Sequence, residues 1–289
     1  MSADAHRAVI DMNASTRDAI AVFFAEVALA AGPVVMNEYA KGCEVRTKRD
    51  SSPVTIADEK AEELILGLLR AGASTVPIIA EESMARGVQT AIGRSFILVD
   101  PLDGTREFIA GNGEFTINIA LVRDEVPIAG AVYAPALTRL WFGGERAFVC
   151  EAAVGAPLPE KSFWRPIQTR PAPARALIAL ASRSHCDPAT EAFLAKLPIG
   201  ERRSAGSSLK FCALAEGAAD VYPRFAPTME WDTAAGDAVL RAAGGVVLAV
   251  EGGALLYGKK ASGLRNGGFV AWGDSTLAAT ASMLNEAST

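Results

Sequence analysis

Carboxylates stand at the ends of apolar runs and at the starts of predicted helices in this chain. The run "FILV" ends on Asp100, and Asp103 follows three residues later. Side chains from distant segments meet at such element ends in a layered fold. Converging carboxylates repel one another unless cations lie among them, and Mg²⁺ prefers oxygen ligands. The pattern therefore predicts a magnesium site built from some of Asp58, Glu81, Glu82, Asp100, Asp103 and Asp232.

The stretch "DPLDGTREF" adds a candidate phosphate site beside these acids. Gly104 lets the backbone approach a ligand closely, and the N–H groups of the turn from Thr105 to Ala110 can bind an anion. The two histidines, His6 and His185, are too few and too far apart for a zinc site. The stretch is thus typical of metal and phosphate chemistry.

Each acid also has a purely structural interpretation. Thr55 and Asp58 fit a capping box. Asp103 could cap the turn that follows it, and Asp232 could cap a helix that begins at Thr233. The two glutamates after "VPIIA" could be solvated residues at a strand end.

Two other phosphate or metal motifs fail on spacing. Haloacid-dehalogenase phosphatases need an aspartate two residues before Asp103, and Pro101 stands there. An EF-hand loop counted from Asp100 would have its glycine fifth rather than sixth and no acid at its third position. An aspartyl-phosphate mechanism and an EF-hand are both excluded.

Composition predicts a globular protein with a large core. Half of the 289 residues are apolar, and 28 basic against 33 acidic residues give a net charge of -5. No block of like charge in the sequence is long enough to indicate a nucleic-acid partner. Four scattered cysteines without a C-x-x-C pair favour reduced thiols.

The apolar N-terminal segment "AIAVFFAEVALAAG" predicts an amphipathic helix rather than a secretion signal. Asp18 and Glu26 flank and interrupt it, and its large apolar residues recur at helical spacing. No window reaches the roughly 20 uninterrupted apolar residues of a spanning helix. The expected location is the cytoplasm, with loose attachment to the inner membrane left open.

The order of elements predicts an α+β fold. Short strands dominate the middle of the chain, with a hairpin around Gly143 and Gly144. The proline-rich segment 155–175 separates two halves, 1–150 and 151–289. Helical segments "SSLKFCALAEG" and "DTAAGDAVLRAAGG" in the second half alternate with strands without a βαβ rhythm.

"DPLDGTREF", with "AEES" upstream and "EWDTAAGDAVLRAAGG" downstream, resembles the inositol monophosphatase superfamily of lithium-sensitive, magnesium-dependent phosphatases. The segments "GNGEFTINIALV", "GSSLKFCALAEGAADVYPRF" and "SRSH" are most similar to its bacterial 3'(2'),5'-bisphosphate nucleotidase branch. The resemblance covers roughly residues 15 to 275. It implies a layered αβαβα sandwich of the inositol monophosphatase and fructose-1,6-bisphosphatase type, with most metal ligands in the N-terminal half.

The resemblance implies two metal sites, and a third, weaker one near Glu81. Glu81, Asp100 and the main-chain carbonyl of Leu102 would hold the first Mg²⁺. Asp100, Asp103 and Asp232 would hold the second, on the side of the leaving group.

By the same resemblance, Asp58 and Thr105 would orient and deprotonate the attacking water. The backbone of Asp103, Gly104 and Thr105 would bind the phosphate that is removed, with Glu81 and Asp232 also next to the substrate.

The resemblance further matches Lys210, Arg224, His185 and Ser207, together with Ser208, to the side that holds the nucleotide. Structural interpretations stay open here: the lysine could be solvated, the serines could cap a helix, and the histidine and arginine could bond to neighbouring residues. The implied reaction converts 3'-phosphoadenosine 5'-phosphate to AMP, with the 5'-phosphosulfate as a second candidate substrate. Alternatives are an inositol-phosphate or sugar-phosphate phosphatase and a non-catalytic sensor.

Overall fold

The computed structural model describes residues 11, 15–42, 45–47, 53–73, 75–181 and 187–279. The helices within these ranges are α1 (Arg17–Lys41), α2 (Ile56–Gly72), α3 (Glu81–Ala85), α4 (Thr105–Ile109), α5 (Pro188–Leu194), α6 (Leu209–Ala215) and α7 (Glu230–Ala242). The strands are β1 (Val45–Thr47), β2 (Pro53–Thr55), β3 (Ile78–Ala80), β4 (Ser95–Asp103), β5 (Thr116–Arg123), β6 (Val126–Ala134), β7 (Arg139–Gly143), β8 (Ala147–Glu151), β9 (Arg165–Ile167), β10 (Leu177–Ala181), β11 (Ile199–Ser204), β12 (Val221–Arg224), β13 (Thr228–Met229), β14 (Val246–Ala249), β15 (Arg265–Asn266) and β16 (Phe269–Trp272).

Seven strands form the larger sheet, in the order β3-β4-β5-β6-β7-β8-β9. Every neighbouring pair is antiparallel except β3 and β4, which run parallel. The central strands read as continuous apolar runs because both faces of this sheet are covered. The predicted hairpin around Gly143 and Gly144 is the antiparallel pair β7 and β8.

The helices and two sheets form five layers. Helices α1 and α2 pack on one face of the larger sheet, and α7 packs on its other face. Helices α6 and α7 also contact the smaller sheet, whose order is β11-β10-β12-β16-β14, and α5 lies on its far face. The predicted α+β class is confirmed as an αβαβα sandwich.

Helix α1 differs from its predicted amphipathic character. Most of its side chains between Ile20 and Val35 are buried, because it packs against both α2 and the sheet, and the less buried stripe of Val22, Glu26, Ala30 and Pro33 is itself mostly apolar. An apolar surface all around a helix is typical of a core element. By length and composition alone α1 could cross a membrane, but 61% of its most apolar window is buried inside the fold, and core helices of soluble proteins pass the same test.

The larger sheet extends past residue 150, the predicted boundary between the two halves. Strand β9 pairs with β8, so the first sheet continues to Ile167, inside the proline-rich segment. Helix α7, from the second half, packs on β4, β5 and β6 of the first. The division at residue 150 stays a prediction, and the helix that carries Asp232 joins the two sheets.

Glycines allow α7 to approach the larger sheet closely. A Cβ atom added to Gly130 would lie 3.0 Å from Cα and O of Ala235 and from Cβ of Ala238. One added to Gly143 would lie 2.9 Å from Cβ of Ala242. The depth at which α7 sits, and with it the position of Asp232, depends on these small residues.

We expect Gly130→Val to lower the free energy of unfolding by about 1 to 3 kcal/mol, because the added methyl groups overpack the contact with α7. Urea unfolding measures this change. Gly67→Ala is the matched control: Gly67 is exposed in α2 with nothing within 4 Å of an added Cβ, so stability should rise by up to about 1 kcal/mol. A Gly130→Val protein as stable as the wild type would contradict the close contact.

Candidate active site

Three carboxylates from separate elements meet at the edge of the larger sheet. One oxygen atom from each of Glu81, Asp100 and Asp232 lies within 4.8 Å of the other two. The parallel pairing of β3 and β4 explains the first two: Ala80 lies opposite Val99, so Glu81 and Asp100 follow side by side on neighbouring segments. Asp232 arrives from the first turn of α7.

Asp100 lies in a strongly unfavourable environment for a lone anion. It is 2% exposed. Burial raises its pKa well above the usual range, and the neighbouring carboxylates of Glu81, Asp103 and Asp232 raise it further. The N–H of Leu102 donates to Oδ1 at 3.0 Å and partly stabilises the charge.

Asp232 shares this environment. Burial raises its pKa well above the usual range, followed by the charges of Asp103 and Glu81, while the N–H of Met229 donates to Oδ2 at 2.9 Å. Buried carboxylates that repel one another bind a hard divalent cation favourably, because the cation neutralises them and accepts their oxygens as ligands. The donor set therefore fits Mg²⁺.

Asp103 is oriented by hydroxyl and amide groups from both halves of the chain. Its Oδ2 accepts hydrogen bonds from Ser207 Oγ at 2.5 Å, Asn118 Nδ2 at 3.3 Å and Ser208 Oγ at 3.3 Å. Ser208 Oγ also lies 2.9 Å from the main-chain oxygen of Asp232. These bonds link the end of β4 to the start of α7.

Asp58 forms the predicted capping box and also contacts Thr105. Its Oδ2 accepts from Thr55 N at 2.8 Å and Thr55 Oγ1 at 2.7 Å. Its Oδ1 lies 3.3 Å from Thr105 Oγ1, which is also 3.3 Å from the carbonyl oxygen of Leu102. The cap fixes the carboxylate, and its second oxygen faces the threonine.

Gly104 makes the turn that follows the acids. Its φ of 92° is left-handed, and an added Cβ would lie 3.2 Å from the carbonyl oxygen of Glu114. It occupies the N-cap position of α4 without a side-chain cap among the described residues. Glycine is required here for both conformation and space.

A cavity of about 140 Å³ adjoins the acids. Asp103 and Asp232 line it, together with the basic side chains of Arg106, Lys210 and Arg224. The cavity therefore joins an acidic region to a cationic one.

The ammonium group of Lys210 is already engaged by the main chain. It is 5% exposed and donates to the carbonyl oxygens of Ala205 at 3.0 Å and Ser207 at 2.6 Å. Burial lowers the pKa of Lys210 to about 8, although nearby acids such as Asp103 oppose the shift. Arg224 Nε donates to the carbonyl oxygen of Ala226 at 3.2 Å.

The purely structural interpretations of the acids need correction. Helix α7 begins at Glu230, so Asp232 is its third residue and not its N-cap. Asp103 ends β4, and Gly104 takes the N-cap position that it was predicted to fill. Glu81 begins a helix rather than ending a strand. At two of these helix starts a partner from another segment takes a backbone donor: the N–H of Glu82 donates to Glu62 Oε2, and that of Glu230 to the carbonyl oxygen of Leu264.

The serines and the histidine have separate outcomes. Ser208 stands at the N-cap position of α6 but its hydroxyl does not cap that helix, and Ser207 bonds to Asp103. His185 lies outside the described residues. Its predicted role is therefore unchanged.

Sequence reasoning missed two buried glutamates that hold the site in place. Glu62 accepts from the N–H of Glu82 at 2.7 Å and from Ser83 Oγ at 2.7 Å, next to Glu81. Glu230 accepts from the N–H groups of Gly258 at 2.7 Å and Lys259 at 2.9 Å. Their partners are distant in sequence, although the four-residue spacing of Glu62 from the capping acid on one helix face was a readable signal.

Arg106 was also missed, although it directly follows the threonine of the motif and lines the cavity. An isolated arginine in the first turn of a short helix has no distinctive pattern in the sequence. Its importance depends on the cavity that it faces.

We expect the metal-free protein to lose stability as pH rises. The folded-state pKa values of Asp100 and Asp232 are raised, so their contribution is fully present below the unfolded-state pKa and is lost as pH rises through the folded-state value. Added Mg²⁺ should therefore raise the melting temperature more at about pH 8 than at about pH 5. Thermal unfolding in EDTA and in Mg²⁺ measures this, and an equal gain at every pH would contradict it.

Comparisons with known proteins match both sequence and fold. The family model described as the inositol monophosphatase family matches residues 16–286. The 3'(2'),5'-bisphosphate nucleotidases CysQ of Salmonella typhimurium and of Escherichia coli K12 are each 42% identical over 245 residues, covering 84% of this chain and 95% of theirs.

Solved structures agree with these matches. The crystal structure of CysQ from Bacteroides thetaiotaomicron, a bacterial member of the inositol monophosphatase family, has a TM-score of 0.73 and 39% identity, covering 88% of this chain and 97% of the other. An inositol monophosphatase from Zymomonas mobilis, at 24% identity, shares the fold with a TM-score of 0.71, covering 92% and 97%.

Proposed function

Since this chain belongs to the inositol monophosphatase family, we propose that it is a Mg²⁺-dependent 3'(2'),5'-bisphosphate nucleotidase. Its substrate would be 3'-phosphoadenosine 5'-phosphate, and loss of the 3'-phosphate would give AMP and inorganic phosphate. The observation that carries this proposal is the cavity that joins the acid cluster to three basic side chains. The substrate named for the CysQ relatives supports the same choice.

The proposed metal ligands follow the acid cluster. Glu81, Asp100 and the carbonyl of Leu102 would hold one Mg²⁺, and Asp100, Asp103 and Asp232 a second. A third ion near Glu81 belongs to the proposal as well. Bound Mg²⁺ lowers the pKa of a coordinated water and neutralises charge on the phosphate oxygens.

Asp58 and Thr105 are the proposed catalytic residues. The hydroxyl of Thr105 would donate its hydrogen to Asp58 Oδ1, which lies 3.3 Å from Thr105 Oγ1. A lone pair on Oγ1 would then accept a hydrogen bond from the attacking water. As the water oxygen bonds to phosphorus, its proton would pass to the threonine oxygen, and the threonine proton to Asp58. The bond from phosphorus to the 3'-oxygen breaks in line, and that oxygen takes a proton from solvent.

The main chain of Asp103, Gly104 and Thr105 would bind the phosphate that is removed. The left-handed turn at Gly104 brings this backbone close to the ligand. Glu81 and Asp232 would lie beside the same phosphate through the metals that they hold.

The basic side of the cavity would bind the second phosphate. A remote dianion needs charge-assisted partners, whereas inositol monophosphate has no second phosphate to be bound. Arg224, Lys210 and Arg106 supply positive charge there, and Ser207 and His185 remain proposed contacts on the nucleotide side.

Two narrower points belong to the same proposal. The sulfated nucleotide 3'-phosphoadenosine 5'-phosphosulfate is a second candidate substrate, since it differs from 3'-phosphoadenosine 5'-phosphate only at the 5' end, away from the phosphate that is removed. The proposed location is the cytoplasm, where such a nucleotide would be turned over.

We expect phosphate release from the bisphosphonucleotide to exceed that from inositol 1-phosphate and fructose 1,6-bisphosphate, and to need Mg²⁺. A phosphate-release panel with and without Mg²⁺ and lithium tests this. Arg224→Met should raise KM for the bisphosphonucleotide by about 10- to 100-fold, because one charge-assisted contact is lost. Equal or better turnover of inositol 1-phosphate would favour an inositol or sugar phosphatase, and binding without Mg²⁺-dependent release would favour a sensor.

We expect Asp103→Asn to lower kcat by at least about 100-fold, a loss of about 3 kcal/mol, because the amide keeps the shape and removes the charge. The measurement is steady-state turnover at saturating Mg²⁺. Asp124→Asn is the matched control, since Asp124 is paired with Arg94 on the surface away from the cavity. Near-normal turnover of Asp103→Asn would overturn the metal assignment.

A further inference from the structure

The turn before α6, residues 205–208, touches both the acidic and the basic side of the cavity. Ser207 within it has a φ of 50°, a left-handed conformation that non-glycine residues rarely adopt. Such a conformation costs on the order of 1 to 3 kcal/mol and persists only where surrounding contacts impose it. The contacts around Ser207 are therefore informative.

One set of contacts presses the turn against the first half of the chain. The N–H of Gly206 donates to Glu114 Oε2 at 2.8 Å, and an added Cβ would lie 2.5 Å from the carbonyl oxygen of Glu114. Ser207 Oγ contacts Thr116 Oγ1 and donates to Asp103 Oδ2. The turn is thus clamped on the strand that carries Thr116 and on a proposed metal ligand.

Lys210 closes the turn from the other side. As the second residue of α6, it folds its side chain back toward the helix N-terminus. Its ammonium group lies between the carbonyl oxygens of Ala205 and Ser207 and 5.2 Å from the ring centroid of Tyr222. A buried cation in the first helical turn is opposed by desolvation and by the helix dipole, so these carbonyl contacts must offset both.

We propose that Lys210 is a positioning residue for the metal side of the site: by binding the carbonyl oxygens of Ala205 and Ser207, it holds the Ser207 hydroxyl on Asp103. The lysine acts on the reacting atoms through the serine and the aspartate. The charge that it lends to the second phosphate is a separate property. The positioning role rests on the proposed Mg²⁺-dependent phosphatase activity, but not on which phosphate ester is the substrate.

The two roles predict different behaviour with a substrate that lacks the second phosphate. Substitution of a residue that only binds the remote phosphate raises KM for the bisphosphonucleotide and leaves kcat and KM for adenosine 3'-monophosphate unchanged. A residue that orients Asp103 affects kcat and the Mg²⁺ requirement with both substrates. Comparing the two substrates therefore separates the roles.

The experiment measures kcat, KM and the half-saturating Mg²⁺ concentration of Lys210→Met with both substrates. We expect kcat to fall about 10- to 100-fold on each substrate, the effect of losing the one hydrogen bond from Ser207 to the charged carboxylate of Asp103. The half-saturating Mg²⁺ concentration should rise. Lys210→Arg should recover most of the loss, because a guanidinium can donate to both carbonyl oxygens.

Ser207→Ala tests the same link without altering the charge of the cavity. It should reproduce the kcat loss and the Mg²⁺ shift, and the double variant Ser207→Ala/Lys210→Met should be no worse than the more impaired single one. Ser207→Gly relieves the left-handed backbone but also lacks the hydroxyl, so it should be as impaired as Ser207→Ala.

Lys260→Met is the matched control, since Lys260 Nζ also donates to a main-chain carbonyl oxygen, that of Ile92 at 2.7 Å, but lies outside the cavity. Its kinetics should equal those of the wild type. Loss confined to KM for the bisphosphonucleotide in Lys210→Met, or additive effects in the double variant, would overturn the positioning role.

Failure of the proposed nucleotide substrate gives a different result. If inositol 1-phosphate is the better substrate of the wild type, the nucleotidase proposal fails, and the same variants measured with inositol 1-phosphate still test the link from Lys210 to Asp103.

Discussion

Mutual repulsion among buried carboxylates is the constraint on which this site depends. Asp100 is buried and Asp232 is half-buried, and each has other acids around it. Such an arrangement is unfavourable for the apo chain and becomes favourable only when cations and hydrogen-bond donors lie among the charges. The donors come from the main chain and from hydroxyl groups, while the fold supplies rigid elements that prevent the acids from turning away.

Structural contacts and the proposed chemical roles coincide at several residues. The capping box at Asp58 does not compete with its contact to Thr105, because each carboxylate oxygen serves one role. Ser208 similarly bonds to two segments that carry acids. A residue that matches a common structural motif can therefore also belong to the proposed site.

The sequence was sufficient for the fold class, the family and the acids that converge, because these follow from local patterns: apolar runs, the D-P-L-D-G-T motif and the capping box. It was insufficient where contacts with residues distant in sequence determine the burial or the start of an element. Most of helix α1 is buried because it packs against both α2 and the sheet, and α7 starts three residues earlier than predicted. The buried glutamates Glu62 and Glu230 resemble ordinary helix surface residues until their partners are known.

The ligand set spans positions 81 to 232 and three elements, with α7 docked between two sheets. An unfolded or half-assembled chain cannot bring these oxygens together, so a divalent cation would bind the completed native state almost exclusively. By mass action, the concentration of that cation would then set part of the folding equilibrium and of the resistance to proteolysis. Shortage of the ion would then reduce the amount of folded protein as well as the proposed turnover.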